Sequence, residues 1–199
     1  GSYEALVADP DVDVIYVSTP HPFHVDGAEL AIRHGKHVLV EKPFTLNAAE
    51  AERVTRLAEQ NGYRFLSAFD DPDVIAGQGT VGIEIAPYAP DVVIVPIGGG
   101  GLASGVALAL KSQGVRVVGA QVEGVDSMAR AIRGDTAPRD PAPTLADGVR
   151  VKVPGFITRR LCARLLDDVV IVREAELRET LVRLALEENL IAEGAGALA

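Results

Sequence analysis

The sequence predicts an α/β fold of three layers: a mainly parallel, Rossmann-like sheet of about six strands with helices on both faces. Two observations carry this. Short apolar runs alternate with amphipathic stretches along nearly the whole chain of 199 residues. Apolar residues make up 48% of it but aromatic ones only 5%. Val, Ala, Leu and Ile must therefore fill the core, the usual filling of parallel sheets covered by helices.

VDVIYVST (Val12 to Thr19) reads as the first strand, and PFHVDGAELAIRHG (Pro22 to Gly35) as a helix with a glycine stop. HVLVE (His37 to Glu41) is the second strand. Asn47 then caps the helix AAEAERVTRLAEQ, which stops at Gly62. YRFLSAF (Tyr63 to Phe69), VVIVPI (Val92 to Ile97) and VRVVGAQV (Val115 to Val122) are further strands, the last two separated by the apolar helix LASGVALAL (Leu102 to Leu110). VVIV (Val169 to Val172) is the sixth, followed by a helix to about Leu190. Residues 134 to 155 break the rhythm with a proline-bearing loop, GDTAPRDPAPT. IAEGAGALA (Ile191 to Ala199) starts like a glycine-containing helix.

Net charge is −9, without a Lys/Arg cluster, which argues against a nucleic-acid or anionic-membrane partner. No apolar run reaches about 18 residues, the length of a spanning helix. The start Gly1-Ser2-Tyr3-Glu4 has no basic stretch followed by an apolar one, and Gly1-Ser2 reads as a cloning remnant. The single Cys162 cannot form an intramolecular disulfide and reads as a small helical core residue. These features fit a soluble, cytoplasmic, recombinantly expressed protein.

The clearest chemistry lies in PIGGGGL (Pro96 to Leu102). A strand ends, four glycines turn and a helix begins. Successive backbone N–H groups can then converge on an anion, and the helix dipole adds to their field. GQGTVG (Gly77 to Gly82) also matches G-x-G-x-x-G. However, DDPDVIA separates it from the preceding strand, and the next strand ends without an acidic residue to hold a ribose, so the match is fortuitous.

Residues 3 to about 62 carry DVIYVSTP, HPFH and GKHVLVEKP in order. This resembles the Gfo/Idh/MocA family of NAD(P)-dependent dehydrogenases, with His21 in place of the family's usual Asn. The resemblance implies cofactor-side roles for Thr19, Pro20 and His24, and for Glu41, Lys42 and Pro43 of the E-K-P turn. The family's first strand, glycine loop and substrate domain have no counterpart in this sequence. Lys42 then reads as a solvated turn lysine and His24 as a partly packed helix residue.

Residues from about 63 to 199 carry FDDPDVIAGQGTVGIEI, VVIVPIGGGGLASGVALALK, VRVVGAQVEG, LADGVRV, DDVVIVRE and AEGAGALA. These resemble the threonine dehydratase and serine racemase group of fold-type II pyridoxal-phosphate (PLP) enzymes. The resemblance implies that Gly98, Gly99, Gly100, Gly101 and the Leu102 amide hold the cofactor phosphate, and that Glu193 and Gly194 lie near its ring. The family's S-x-K-x-R-G-A lysine segment is not among Lys36, Lys42, Lys111 and Lys152. Gln121 stands where some relatives have an acidic metal ligand, so no metal site is expected.

Together the two resemblances predict a single fused α/β domain over 1–199. It would be an engineered or recombined chimera of a 1–62 and a 63–199 fragment, joined between Asn47 and Ser67. No catalytic residues and no cofactor are expected, NAD is unexpected, and the glycine loop keeps weak affinity for phosphate, sulfate or PLP. The alternatives are a PLP-dependent threonine/serine dehydratase-like lyase and an NAD(P)-binding module.

Overall fold

The computed structural model describes residues 1–199, which form two compact units, Gly1–Leu66 and Ser67–Ala199. The elements in chain order are α1 (Tyr3–Ala8), β1 (Val14–Val17), α2 (His24–Arg33), β2 (His37–Val40), α3 (Ala48–Gln60), α4 (Pro72–Ile85), β3 (Val92–Pro96), α5 (Gly101–Leu110), β4 (Arg116–Val122), α6 (Ser127–Ile132), α7 (Phe156–Leu165), β5 (Asp168–Val172) and α8 (Glu174–Leu186). The α/β class with parallel strands is thus observed.

In the first unit β1 and β2 pair in parallel, Val14 opposite His37 through Val17 opposite Val40. The crossover is α2, whose Val25, Ala28 and Ile32 pack with Val54 and Ala58 of α3. Strand residues alternate across the pleat. Ile15 and Val17 are buried, while Val14 and Tyr16 are more than half exposed. Asn47 caps α3 as its position predicts, its side chain accepting from the Glu50 amide at 3.0 Å. Such a cap contributes about 1 kcal/mol.

In the second unit the sheet order is β3-β4-β5, all parallel. Central β4 is buried at every position after Arg116. Helix α5 lies in the main core with Val95, Ile97, Val117, Met128 and Cys162. The Gly77–Gly82 stretch sits inside α4, a helix that its glycines hid from a propensity reading. Gly79 and Gly82 serve close packing against α5. A Cβ on Gly105 of α5 would fall 2.5 Å from both the Gly79 amide nitrogen and the Ile75 carbonyl oxygen, so only glycine allows the two helices to meet there.

Five strands form in two sheets, because Tyr63–Phe69 is irregular chain. Phe65 and Leu66 stay exposed there, and Ser67 turns back to accept from the Phe69 and Asp70 amides. Residues 191–199 make a turn instead of a helix, with the Ala197 amide donating to the Glu193 carbonyl. No helix is long and apolar enough to cross a membrane.

Candidate functional site

The residues singled out in the first unit gather at the carboxyl ends of β1 and β2. His24 is buried, and its Nδ1 and Nε2 each lie 2.8 Å from a carbonyl oxygen, those of Pro43 and Thr19. The ring therefore ties the turn after β1 to the turn after β2. The Thr19 hydroxyl oxygen is enclosed and unpartnered. Pro20 leads into the short turn His21–Phe23. The Tyr16 hydroxyl donates to Glu41, which holds the Glu41 carboxyl below its ordinary range and pushes the Tyr16 hydroxyl up. Lys42 and Pro43 are exposed. The polar groups of this cluster are mostly spent on one another.

The glycine loop of the second unit is built differently. Gly98 to Gly100 connect β3 to α5, and Gly101 opens that helix of ten residues. None of the amides of Gly98 to Leu102 donates to an acceptor within the protein. The first amides of any helix lack an i−4 acceptor, and here the loop's amides join them. The carbonyls of the same segment are anchored. Gln121 Nε2 donates to Ile97 O at 3.1 Å, Thr158 Oγ1 to Gly99 O at 2.6 Å, and the Ser104 amide to Gly100 O at 2.9 Å.

Glycine is required here on steric grounds. A Cβ on Gly99 would lie 2.3 Å from the Phe69 ring. Gly100 has φ +96°, and its Cβ would meet Met128 at 2.5 Å. The backbone is thereby packed tightly on its inner side while its donors remain available, a donor set that fits an anion.

A second layer holds this loop. Asp70, next to Phe69, accepts from the amides of Phe156, Ile157 and Thr158 at 2.8, 2.8 and 3.0 Å. The carboxylate thus caps the amino end of α7, where negative charge is favoured. Gly155 leaves room for it, since a Cβ there would overlap Asp70 Oδ1. Gln121, read as the place of a missing metal ligand, is a fully buried strut that also accepts from the Ala129 amide at 2.8 Å. Ser104 and Cys162 lie behind the loop with their side-chain oxygen and sulfur 3.5 Å apart, and burial pushes the Cys162 thiol up to about 11.

Glu193 is exposed, and Gly194 is packed against the Leu145 carbonyl, where a Cβ would overlap it at 2.1 Å. The Glu193 carboxylate and Gly98 both flank the Gly148 turn, which sits beside each. The strand-glycine-helix pattern of the loop is visible in the sequence, whereas the support it receives from Asp70, Gln121 and Thr158 is not. The one available signal was the FDD sequence opening the second unit, which puts a carboxylate directly after the ring that covers Gly99.

Residues 14–199 match the family described as pyridoxal-phosphate dependent enzyme, and the chain belongs to that family. It is 44% identical over 169 residues to the L-threonine ammonia-lyase of Thermotoga maritima, covering 82% of this chain and 42% of that protein. It is 45% identical over 152 residues to the catabolic L-threonine dehydratase of Escherichia coli K12, covering 74% of this chain and 46% of the relative. The chain therefore spans less than half the length of these curated relatives. Among solved structures, a threonine deaminase from T.th. aligns with a TM-score of 0.70 at 31% identity, over 100% of this chain and 73% of that one. A processed threonine deaminase isoform from Solanum lycopersicum aligns at 0.72 and 31% identity, over 94% and 54%.

These findings correct three expectations. One family accounts for residues 14–199, so the dehydrogenase resemblance of the first 62 residues and the engineered chimera built on it are set aside. The resemblance has a physical source: a parallel β-α-β crossover ending in polar turns imposes the same apolar runs and glycine stops in any Rossmann-like sheet. The expectation of an inactive chain gives way to membership of an enzyme family. The expectation of no cofactor gives way to pyridoxal phosphate.

Proposed function

We propose that the chain supplies the phosphate-anchoring part of a PLP-dependent lyase that dehydrates and deaminates a small hydroxy amino acid, L-threonine or L-serine. The observation that carries this reading is the loop from Gly98 to Leu102. Its amides are free of protein acceptors, its carbonyls are anchored behind it, and it heads a helix. The residues that would hold the cofactor are Gly98, Gly99, Gly100, Gly101 and Leu102, through backbone donors that tolerate no competing side chain. When bound, pyridoxal phosphate supplies an electron sink for the carbon bearing the amino group. The names of the threonine ammonia-lyase and dehydratase relatives support the substrate class. Thr19, His24, Glu41 and Lys42 receive no part in this reading, because the cluster's hydrogen bonds are internal.

The test is a PLP titration of the chain followed by thermal unfolding, with release of 2-oxo acid from L-threonine measured in parallel. Binding to the folded state at a hundredfold excess over Kd raises stability by about 2.7 kcal/mol. A rise in Tm with PLP and with inorganic phosphate, absent with NAD, supports the reading. A Tm unmoved by either phosphate compound contradicts it.

A further inference from the structure

We infer that Thr158 is a positioning residue of the anion loop: its hydroxyl, donated to the Gly99 carbonyl, turns the Gly99–Gly100 peptide so that the Gly100 amide faces the bound phosphate. The inference rests on the phosphate reading above. A trans peptide holds its C=O and N–H on opposite sides of a rigid plane. Fixing the carbonyl of one residue therefore aims the amide of the next. The Thr158 contact is short, at 2.6 Å, and the residue is wholly buried, so water does not compete for the bond.

The neighbouring peptides follow the same logic. Gln121, holding the Ile97 carbonyl, aims the Gly98 amide, and the Ser104 amide, holding the Gly100 carbonyl, aims that of Gly101. No comparable donor holds the Gly98 carbonyl, so the Gly99 amide is aimed less firmly.

Thr158 is itself fixed from the far side. Its backbone amide donates to Asp70 Oδ1, and Asp70 adjoins the Phe69 ring that covers Gly99. The segment Phe69-Asp70 thus contacts the loop twice, once through the ring and once through the end of α7. The Thr158 carbonyl lies 3.5 Å from the Ser104 hydroxyl, on the helix that the loop opens. A threonine that merely satisfied its own hydroxyl would need none of this alignment with the loop's peptide planes.

The experiment is a titration of the chain with inorganic phosphate, reading the amide 15N and 1H shifts of Gly98 to Leu102. In the unsubstituted chain the shifts saturate and are larger at Gly98, Gly100 and Gly101 than at Gly99. Thr158→Val keeps the shape and removes the donor; it weakens the phosphate Kd about tenfold and removes the Gly100 shift. Thr158→Ser keeps the donor and stays within about threefold of the parent. A threonine with only a structural role would lower the urea midpoint of Thr158→Val while leaving Kd of the folded protein unchanged, and that result overturns the inference alone. No loop shift in the unsubstituted chain overturns the phosphate reading and the inference with it. Should Thr158→Val fail to fold, the parent's own pattern decides: a Gly99 shift equal to or above that of Gly100 overturns the inference, and the reverse order supports it.

Discussion

The two compact units use the same parallel β-α-β grammar with opposite outcomes at their strand ends. In the unit of residues 1–66, the turns after β1 and β2 close on one another through His24, whose two ring nitrogens occupy the Thr19 and Pro43 carbonyls. In the unit of residues 67–199, the turn after β3 anchors its carbonyls inward and leaves its amides unclaimed. The carboxyl end of a parallel strand is where open sheets bind ligands. The two strand ends therefore differ in what their polar groups do: the first pair of turns is joined through the His24 ring, and the loop after β3 keeps free donors above anchored carbonyls.

The sheets differ in the same sense. Val14, Tyr16 and Leu39 of the two-stranded sheet are 57, 55 and 61% exposed, whereas central β4 of the three-stranded sheet is buried beyond Arg116. An apolar run by itself does not tell whether one face or both will be covered. VIYV and VVGAQV look alike as sequence, but only the second has a paired strand on each side.

The largest effect is expected where the second unit is tightest. Gly105→Val forces a side chain into the backbone of α4 and should cost about 3 kcal/mol or abolish folding, read as the urea midpoint. Retention of the parent midpoint would mean that α4 and α5 do not pack as described. In the first unit, His24→Ala removes the buried ring held between the Thr19 and Pro43 carbonyls and should cost about 2 kcal/mol. An unchanged midpoint would show that water replaces the ring.

A smaller effect is expected from acid. Lys111, 2.7 Å away, and the Val117 amide hold the Asp167 carboxyl below its ordinary value. With the folded value depressed, this group's contribution is present above its unfolded pKa of about 3.9 and is lost as pH falls through the folded value. Asp167→Asn should therefore flatten the stability profile below about pH 4 while leaving its slope near neutrality unchanged. A variant whose acid profile overlays the parent's would remove the pair from the account. The smallest change belongs to the exposed sheet face, where Leu39→Ala should stay within about 0.5 kcal/mol. A loss well above that would show that the face is covered in solution.

Much of the fold was legible because the five strands and the helices α2, α3, α5 and α8 announce themselves by period and by punctuation. Asn47 before α3 and the glycines around β3 and α5 are local signals, and they place those elements within one or two residues. Helix α4 was not legible, because Gly77, Gly79 and Gly82 depress helix propensity, and the contact of Gly79 and Gly82 with α5 that offsets this leaves no mark in the sequence. The β-prone residues of YRFLSAF predict a strand, but a strand needs a partner, and neither sheet includes it. The glycine loop itself was legible as a strand-turn-helix connection. Its supports were not: Thr158 reaches Gly99 across 59 residues, and Asp70 reaches Thr158 across 88. Contacts of that separation leave no periodic trace, and a buried threonine in a helix reads as any other core residue.

We propose that the Gly98–Leu102 backbone holds the phosphate of pyridoxal phosphate. A crystal structure of the chain grown with pyridoxal phosphate tests it most directly. Phosphate oxygens are expected within about 3 Å of the amide nitrogens of Gly98, Gly100 and Gly101, with the Thr158 hydroxyl still on the Gly99 carbonyl. Cofactor density seated elsewhere, with the loop amides turned away or bound to protein acceptors, would contradict it.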